Sequence, residues 1–450
     1  MRNHELRWYR AQSVLGKGRF YICLKEERTM SYQTPRGTYD ILPDEMNRWH
    51  HTEEVIRETT KRYRYREIRT PYFEETKVFK RENDSSDMVN KEMYTFDMGT
   101  HSYTLRPEGT AGVIRAFDQH KLYGSMEMPG RFYYLGAMFR HENPQKGRQR
   151  QFTQFGIENI GAKSPELDAE TIALGYDIVK QMGISSIKVC INTLGDDASR
   201  AAYRTALKEY FQPHLEELCG DCHRRYEQNP LRILDCKVDH DKECVHAAPK
   251  LADYLNEESK NYFNRVLACL DALEIPYEVD DHLVRGLDYY THTVFEVVST
   301  RPDSGAQATI FAGGRYDHFV EYYGGPEMSG IGFAIGMERL INLAAEEGHD
   351  FGDENSCDVY VIGLGDVGAS VLKTVQQLRH AGYSAEANLV QRSLKAQFKS
   401  VDRNHARYVV ILGEDEVKNN TMNIKNISDK SQVIIKQEEL LETLKQWENK

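Results

Sequence analysis

The sequence predicts an α+β protein, in which an antiparallel sheet with helices is interrupted by a helical insertion and followed by a small α/β domain. Three observations support this fold class. Strand-like runs follow one another through tight turns in two parts of the chain, which is typical of antiparallel sheets. Residues from about 195 to 281 are helical and charged in pattern. Beyond residue 358, strand and helix patterns alternate, as in an α/β unit.

Length and composition limit the classes of protein to which this chain can belong. At 450 residues it is long enough for two or three domains. It contains no run approaching the ~18 consecutive apolar residues of a membrane-spanning helix. Its formal net charge of −11 excludes binding of nucleic acid by bulk attraction, so basic residues that contact RNA must be gathered locally. Because no export signal is found, we expect a cytoplasmic protein.

The first 29 residues differ from the rest of the chain. They carry seven Lys or Arg against three Glu, and their only apolar run, residues 20–24, is too short for a secretory signal. One interpretation is a basic RNA-binding arm. Because the segment has no sustained hydrophobic period, we expect instead a disordered extension, or a start codon assigned too early at Met1 rather than at Met30.

Hydrophobic periodicity and turn residues predict the elements of two domains, at 30–348 and 358–450. In the first domain, strands are predicted over 67–73, 103–105, 131–139, 151–160, 283–299, 309–311 and 330–335. Helices are predicted over 44–65, 198–217, 259–273 and 336–347, the middle two lying in the insertion. Residues 349–357 are polar and predict a linker. In the second domain, strands are predicted over 359–363, near 384 and over 408–412, and helices over 367–380 and 392–404.

A predicted strand-to-helix turn places Glu108 and Thr110 on either side of a glycine. These side chains could contact a ligand. The alternative is that Glu108 caps the helix, which is common for an acidic residue at a helix N-terminus.

A loop rich in Lys and Arg joins the two longest predicted strands in the first half of the chain. Period-two geometry puts Gln154, Gly156 and Glu158 on one face of the second strand, so an amide and a carboxylate flank an open slot. Such a slot indicates a polar ligand; the alternative is a solvated face. Arg140 and Arg148 add positive charge where phosphates could lie.

The segment 284–291 collects Arg285, Tyr289 and Tyr290 in one short run. Strict alternation would send Arg285 and Tyr290 to opposite faces of a strand, so a shared pocket requires a bulge or turn near Gly286. The alternative is an aromatic pair packed in the core.

Glycine or alanine occupies every second position from Gly330 to Gly336, so one face of this predicted strand has almost no side chains. A flat ring could lie on the bare backbone, and Arg339 in the following helix could stack over the ring or contact a phosphate. Close packing against a neighbouring element could also explain the glycines.

These segments resemble motifs of the class II aminoacyl-tRNA synthetases. Phe139-Arg-His-Glu142 is similar to motif 2 of that class, and the glycine-rich strand ending in Glu338-Arg339 is similar to motif 3. The segment around Pro71 resembles motif 1, which in that class builds the dimer interface. The resemblance therefore implies a homodimer.

Within the class, Leu105-Arg-Pro-Glu-Gly-Thr110 and Arg285-Gly-Leu-Asp-Tyr-Tyr290 are similar to signatures of the histidyl enzymes. The likeness extends over roughly residues 33 to 450. It implies a class II catalytic domain with a helical insertion and a C-terminal anticodon-binding domain. It also implies that L-histidine and ATP form histidyl-adenylate and pyrophosphate, and that histidine then passes to the 3′ end of tRNA(His). The sequence departs from the family at His318 and His405, where glycine is common.

The resemblance implies a role for each side chain singled out above. Those that would bind histidine are Glu108, Thr110, Arg140, Gln154, Glu158, Arg285, Tyr289 and Tyr290. Those that would bind ATP and its Mg²⁺ are Arg140, Glu142, Arg148 and Arg339. Arg285 and Arg140 would be catalytic, because both would offset negative charge at the α-phosphate.

Four cysteines of the insertion, Cys219, Cys222, Cys236 and Cys244, could supply the ligands of a zinc ion. The first pair has the spacing of a zinc site, whereas the last gap is looser than in a standard zinc knuckle. Since the family does not generally need zinc here, we expect free thiols, with a structural zinc ion as the alternative.

Arg392, Lys395, Lys399 and Arg403 are spaced three and four residues apart, which puts them on one face of a helix. Residues 379–407 contain six Lys or Arg and two acidic residues, a net +4 in a chain of −11. We expect this face to contact tRNA phosphates. The alternative is a solvated charged face.

Two other functions are compatible with parts of this pattern. One is a catalytically inactive paralogue, such as the regulatory subunit that resembles these enzymes in histidine biosynthesis. It would be expected to lack the C-terminal domain and to have a degraded 285–290 segment, and both are intact here. The other is an RNA-binding or amino-acid-sensing module without turnover. We expect an active enzyme.

Overall fold

A computed structural model describes residues 7–12, 19–24, 32–80, 88–144, 147–236, 238–284, 289–302, 308–352, 357–390 and 392–448. For residues 7–12 and 19–24 it describes the backbone alone.

The strands of the described residues are β1 (Arg7–Gln12), β2 (Arg19–Leu24), β3 (Arg66–Glu67), β4 (Phe73–Glu75), β5 (Thr95–Met98), β6 (His101–Leu105), β7 (Gly130–Phe139), β8 (Gln151–Ile160), β9 (Ile187–Thr193), β10 (Tyr277–Val279), β11 (Thr291–Ser299), β12 (Thr309–Tyr316), β13 (Gly330–Gly336), β14 (Val359–Leu364), β15 (Ala385–Ala387), β16 (Tyr408–Gly413), β17 (Thr421–Asn426) and β18 (Gln432–Lys436).

The α-helices are α1 (Pro43–Arg62), α2 (Thr110–Gln119), α3 (Pro165–Gln181), α4 (Asp197–Phe211), α5 (Gly220–Gln228), α6 (Glu243–His246), α7 (Glu257–Ala272), α8 (Phe319–Tyr322), α9 (Met337–Glu346), α10 (Gly368–His380), α11 (Leu394–Arg403), α12 (Glu414–Lys418) and α13 (Leu440–Glu448). None of the helices in the described ranges is both long and apolar enough to cross a bilayer.

The central sheet has eight strands in the order β10-β9-β11-β12-β13-β8-β7-β3. Its six inner strands pair antiparallel. The edge strands β10 and β3 run parallel to their neighbours β9 and β7. The predicted antiparallel-sheet domain is therefore confirmed. The strands predicted over 131–139, 151–160, 309–311 and 330–335 correspond to β7, β8, β12 and β13, which lie next to one another in this sheet.

Helices α1, α3 and α9 cover one face of this sheet and share its main core. Phe155, Ile157 and Phe333 point into that core and are at most 3% exposed. Each such buried side chain stabilises the fold by about 1.5–3 kcal/mol. Because side chains alternate along a strand, Gln154, Glu158 and the other intervening residues face the opposite side of the sheet.

The helical insertion leaves the sheet after β9 and returns to it at β10 and β11. It contains α4 to α7, as the charged helical pattern predicts. Helices α4 to α6 form a separate core, whereas α7 packs into the main core through Phe263, Val266 and Leu270. Leu283 and Tyr290 belong to the separate core, which connects the insertion to the start of β11.

The C-terminal domain is built on a five-stranded sheet in the order β15-β14-β16-β17-β18. β14 is parallel to β15 and β16, whereas β17 and β18 form an antiparallel extension. The predicted alternation of strands and helices is confirmed from β14 to β16. Strands β17 and β18 were not predicted from the sequence.

Several predictions of individual elements were wrong or incomplete. The strand predicted over 67–73 is two short strands, β3 and β4, which belong to different sheets. The strand predicted to begin at residue 283 begins at Thr291 in β11. Helix α3 and strand β9 were not predicted at all.

The N-terminal segment and His405 were also discussed in the sequence, and the structure describes parts of both. For the first 29 residues the expectation was a disordered extension or a start codon assigned too early. In this segment β1 and β2 pair antiparallel from Arg7↔Leu24 to Gln12↔Arg19. At His405 the φ angle is +46°, in the left-handed region that favours glycine, which explains why glycine is common there.

Candidate active site

Small residues lie side by side at the centre of the sheet, on the face opposite the main core. Gly332 pairs with Glu158 of β8 and with Gly314 of β12. Ala334 pairs with Gly156 in the same way. Because directly paired residues project to the same face, these positions form a shallow trough across β8, β13 and β12.

The trough is partly filled by side chains of this chain. A Cβ atom on Gly332 would collide with the carboxylate of Glu158, and one on Gly314 would lie 2.8 Å from Cδ1 of Tyr290. Close packing therefore explains these glycines, so the expected floor for a flat ring does not extend along the whole strand. At Gly336 a Cβ atom would meet open space. Room for a flat ring is found at this end, next to Arg339.

Glu158 is the most enclosed polar group of the trough and is 1% exposed. Thr110 donates its hydroxyl to Oε1 over 2.6 Å, and Tyr316 donates its hydroxyl to Oε2 over 2.5 Å. Burial raises the pKa of Glu158 to about 8, although both hydroxyl donors oppose the shift. The two donors hold the carboxyl group in one orientation at the bottom of the trough.

Glu108 accepts hydrogen bonds from the backbone N–H of Thr110 at 2.8 Å and of Ala111 at 3.0 Å. It therefore caps the N-terminus of α2, the structural alternative that the sequence analysis left open. The cap fixes the start of α2, and through it the position of the Thr110 hydroxyl against Glu158. The two residues singled out in this segment are thus coupled to the slot on β8.

Gln154 lies at the open end of the trough, opposite Gly336 of β13. Tyr134 donates its hydroxyl to Oε1 of Gln154 over 3.4 Å. The ring of Tyr134 occupies the space that a Cβ atom would need at Gly109 and at Gly156. Two of the glycines thus make room for an aromatic side chain that the sequence analysis did not select.

The aromatic pair divides between two environments. Tyr290 is 9% exposed and lies against Gly314, so it lines the trough beside Glu158. Tyr289 stacks on Phe319 with ring centroids 4.5 Å apart, which supports the alternative of core packing for this residue. Arg285, predicted to be catalytic, lies outside the described residues.

The basic loop brings its charges together around one carboxylate. Arg148 donates from Nη1 to Oε2 of Glu142 over 3.2 Å, and Nη1 of Arg140 lies 3.9 Å from Oε1 of the same group. Arg140 also donates from Nε to the carbonyl of Pro107 at 2.8 Å. This bond ties the loop to the turn that carries Glu108.

Arg339 joins this group from the first turn of α9. It donates to the carbonyl of Thr309, and burial together with the charge of Arg148 lowers the pKa of its guanidinium group. Its neighbour Glu338 faces away and accepts from the backbone N–H of Thr153 at 2.7 Å. Arg339, Arg148 and Glu142 therefore lie within electrostatic reach of one another at the open end of the trough.

Two buried residues outside the sequence prediction position this site. Arg315 and Asp168 are both 0% exposed, and Arg315 donates from Nε to Oδ1 of Asp168 over 3.0 Å. The pair fixes β12 to α3, directly before Tyr316. The sequence around Arg315 contains two glycines, Gly313 and Gly314, but this pattern alone does not identify a partner 147 residues away.

The other candidate sites lie away from the trough. Cys219, Cys222 and Cys236 meet in the insertion, as the zinc alternative requires, but their fourth neighbour is Asp239. The inclusion of Cys244 was wrong, because its sulfur groups with His214 and Glu217 instead. Hydrogen bonding within the chain decides this, since Oδ2 of Asp239 accepts from the backbone N–H of Cys219 at 2.8 Å.

The predicted basic face of the C-terminal domain lies on α11 and just before it. The four residues are exposed, and they form no ion pair within the described ranges; they are Arg392, Lys395, Lys399 and Arg403. The opposite face of α11 is buried through Gln397 and Val401.

Comparisons with known proteins agree over both domains. A family model described as Histidyl-tRNA synthetase matches residues 37–340, and one described as Anticodon binding domain matches residues 358–447. The histidine–tRNA ligase of Bacillus cytotoxicus is 50% identical over 402 residues, covering 89% of this chain and 95% of that protein. The Bacillus subtilis enzyme is 48% identical over 419 residues, covering 92% and 99%. The crystal structure of apo S. aureus histidyl-tRNA synthetase superposes with a TM-score of 0.80 at 41% identity, covering 92% of this chain and 100% of that one.

Proposed function

The chain belongs to the histidyl-tRNA synthetase family, and from this premise we propose which of its residues carry out each part of the reaction. The protein is a histidine–tRNA ligase, an ATP-dependent enzyme. It joins L-histidine to ATP as histidyl-adenylate with release of pyrophosphate, and then transfers histidine to tRNA(His).

Glu158 is the group that recognises the imidazole ring, and the observation that carries this assignment is its burial between two hydroxyl donors. A carboxyl group held in one orientation can pair with a ring N–H, and Tyr290 offers a hydroxyl on the same face. A wrong side chain would leave these buried groups unpaired. Sites of this kind discriminate by ~10⁴ or more without editing. Tyr289 supports this wall through its stacking on Phe319.

The α-amino and α-carboxylate groups of histidine lie nearer the open end of the trough in this proposal. Glu108 and Thr110 hold the α-amino group, since the two side chains adjoin Glu158 at the start of α2. Gln154 and Arg140 receive the carboxylate. This orientation points the reacting oxygen toward the arginines of the basic loop.

ATP binds at the open end, where Arg140, Arg148 and Arg339 surround Glu142. The adenine ring rests near Gly336 and is clamped by Arg339. The histidine carboxylate attacks the α-phosphorus in line, and pyrophosphate leaves. The residues contribute orientation and positive charge rather than covalent chemistry. Arg140 and Arg285 offset the charge that develops at the α-phosphate.

Glu142 is a suitable partner for Mg²⁺. Its carboxylate offers hard oxygen atoms, and Mg²⁺ in phosphoryl-transfer sites uses one or two carboxylates together with substrate phosphates. Arg148 at 3.2 Å and Arg140 at 3.9 Å hold the two oxygens of this carboxylate at the open end of the trough, where the phosphates of ATP would lie in this proposal. When bound, Mg²⁺ would neutralise charge on the departing pyrophosphate.

The exposed basic face of α11 is the surface that contacts tRNA. Its positive charges have no acidic partners in the described ranges, so they are available to phosphates. A cavity of about 320 Å³ adjoins it, lined by Arg379, Arg392 and the exposed side chains of Leu389 and Val390. Such a cavity can accept an unstacked base while the helix binds the backbone.

The active form is a homodimer in the cytoplasm. The small sheet of β4, β6 and β5 leaves Tyr72, Phe73, Phe96 and Met98 between 38% and 64% exposed. A cluster of this kind indicates a protein interface, and a second copy of the chain is the partner we propose. Eight cysteines in 450 residues are not the pattern of a disulfide-bonded scaffold, which supports a reducing compartment.

The test is exchange of labelled pyrophosphate into ATP, run with each of the twenty amino acids. We expect exchange with histidine alone. Arg285→Ala should abolish exchange while the circular dichroism spectrum is retained, and Arg265→Ala, on the exposed surface of α7, should not change it. Exchange that survives in Arg285→Ala would remove that residue from the catalytic set, and no exchange in the wild type would indicate a module without turnover.

A further inference from the structure

Three cysteines and one aspartate converge in the insertion, away from the active site. Cys219 precedes α5, and Cys222 lies in its first turn. Cys236 and Asp239 come from the loop that follows the short helix Pro230–Ile233. The four ligand atoms all lie within 4.8 Å of one another.

The distances within this group match those of a tetrahedral zinc site. The sulfurs of Cys219 and Cys236 are 3.7 Å apart, and the sulfur of Cys236 is 3.7 Å from Oδ2 of Asp239. A zinc ion with bonds of about 2.3 Å to sulfur and 2.0 Å to oxygen sets such pairs about 3.8 Å and 3.5 Å apart. A disulfide between Cys219 and Cys236 would require a sulfur–sulfur distance of about 2.05 Å.

Burial gives the group the character of a closed structural site. Cys222, Cys236 and Asp239 are 0%, 3% and 0% exposed. Thiols are weak hydrogen-bond donors, so three neutral sulfurs contribute little to a buried carboxylate, whereas a dication would compensate three thiolates and the carboxylate together. Lys242 lies 2.7 Å from Oδ1 of Asp239 and offsets part of the negative charge that three thiolates and a carboxylate would carry around a dication.

The backbone also holds the ligands in place. The N–H of Cys219 donates to Oδ2 of Asp239 over 2.8 Å, so the two loops are joined before any ion binds. A bond from ligand groups to neighbouring backbone is the usual means of orienting metal ligands. The site would thus join the start of α5 to the loop near Asp239.

We propose that Cys219, Cys222, Cys236 and Asp239 bind one zinc ion, which stabilises the insertion. Cys222 and Cys236 are part of the insertion core that also contains Leu283 and Tyr290. The ion therefore secures the elements that flank residues 285–288 and, through Tyr290, one wall of the histidine pocket. No step of the aminoacylation reaction uses the ion.

The first test measures metal content in untagged protein purified without chelator. We expect one zinc ion per chain in the wild type and in Cys269→Ser, whose half-buried cysteine lies outside the group. Cys236→Ser should retain almost none, and Asp239→Asn should bind zinc more weakly in competition with a chelator. Wild-type protein that retains no zinc after refolding with excess zinc would overturn the proposal.

The second test does not depend on variants that fold. Cobalt(II) added to chelator-treated wild-type protein should give sulfur-to-metal charge-transfer absorption and the intense visible bands of tetrahedral cobalt. Protection of three thiols from a thiol reagent by zinc should accompany these spectra. Octahedral cobalt spectra, unprotected thiols, or a Cys219–Cys236 disulfide found by non-reducing mass spectrometry would each contradict the site. Histidine-dependent exchange, measured in parallel, separates failure of this proposal from failure of the active-site assignments.

Discussion

Tyr316 donates its hydroxyl to the carboxyl group of Glu158 over 2.5 Å, although the two residues are 158 positions apart in the chain. Tyr316 ends β12, Glu158 lies on β8, and β13 runs between them. The narrow glycine face of β13 allows this contact, because a Cβ atom on Gly332 would collide with Glu158 and one on Gly330 would collide with Tyr316. Substrate selection in the proposed site depends on this arrangement.

Removal of the Tyr316 hydroxyl should weaken histidine binding selectively. Leaving a buried hydrogen-bond partner unsatisfied costs about 1–3 kcal/mol, so Tyr316→Phe should raise the KM for histidine about 5- to 150-fold in pyrophosphate exchange. The KM for ATP should change little. Tyr203→Phe removes an equally buried hydroxyl that donates to Pro249 in the insertion, and it should leave both values unchanged. An unaltered histidine KM in Tyr316→Phe would exclude the proposed role.

The buried carboxyl group of Glu158 should make stability depend on pH. Its pKa is raised from 4.5 to about 8 by burial, so the folded state holds a proton that the unfolded state has released between these values. The free energy of unfolding therefore falls as pH rises through this window, by up to about 1.4 kcal/mol per pH unit from this group. Glu158→Gln should lack this component in urea titrations across the window. Glu258→Gln, an exposed substitution on α7, should keep the wild-type slope, and equal slopes in all three proteins would contradict the shift.

The ion pair between Arg315 and Asp168 should be necessary for stability. Both side chains are fully buried, so Asp168→Asn leaves a guanidinium charge inside the protein whose remaining carboxylate partner is Asp317, with Oδ1 3.9 Å from Nη1. We expect a loss of roughly 3–5 kcal/mol in the free energy of unfolding, measured by denaturant titration. Glu166→Gln breaks an exposed ion pair on the same helix and should cost about 1 kcal/mol or less. Similar losses in the two variants would show that burial does not determine how much an ion pair contributes to the free energy of unfolding.

Arg339 should contribute mainly to ATP binding. Arg339→Ala removes a half-buried guanidinium group at the open end of the trough, beside the position of Gly336. Loss of a hydrogen bond between the charged guanidinium group and ATP costs about 1.5–3 kcal/mol of binding free energy. We therefore expect the KM for ATP to rise about 10- to 150-fold, with a smaller change in the KM for histidine. Arg265→Ala serves as the control in the same exchange assay. A change in the KM for histidine alone would place Arg339 in the histidine pocket and not at the ATP-binding end of the trough.

Charge reversal on α11 should separate the two half-reactions. The double variant Lys395→Glu, Lys399→Glu should lose tRNA aminoacylation while histidine-dependent pyrophosphate exchange continues. Each lost phosphate contact should also reduce the slope of log affinity for tRNA against log salt by about 0.7–0.9. The single reversal Lys430→Glu, in the turn between β17 and β18 at the far edge of the sheet in the same domain, is the control for a change of surface charge. Equal aminoacylation in the double variant and the control would leave only the solvated-face interpretation.

Local patterns in the sequence were sufficient for much of this protein. Alternation with period two defines β8 and the bare face of β13 within a residue of their observed ends, because each strand has one buried and one polar or glycine face. Spacings of three and four residues put Lys395 and Lys399 on the exposed face of α11 for the same local reason. Family resemblance rests on these short segments, and the comparisons confirmed it.

Tertiary structure decided which of these segments meet. The register between β12, β13 and β8 brings Tyr316 to Glu158, and the fold of α3 under the sheet brings Asp168 to Arg315. It also replaced Cys244 by Asp239 in the cysteine group, since ligand sets depend on where loops return and not on spacing along the chain. Periodicity reports only which way a side chain points relative to its own backbone. Contacts across 100 residues or more follow from strand pairing and core packing, and these are properties of the whole folded chain.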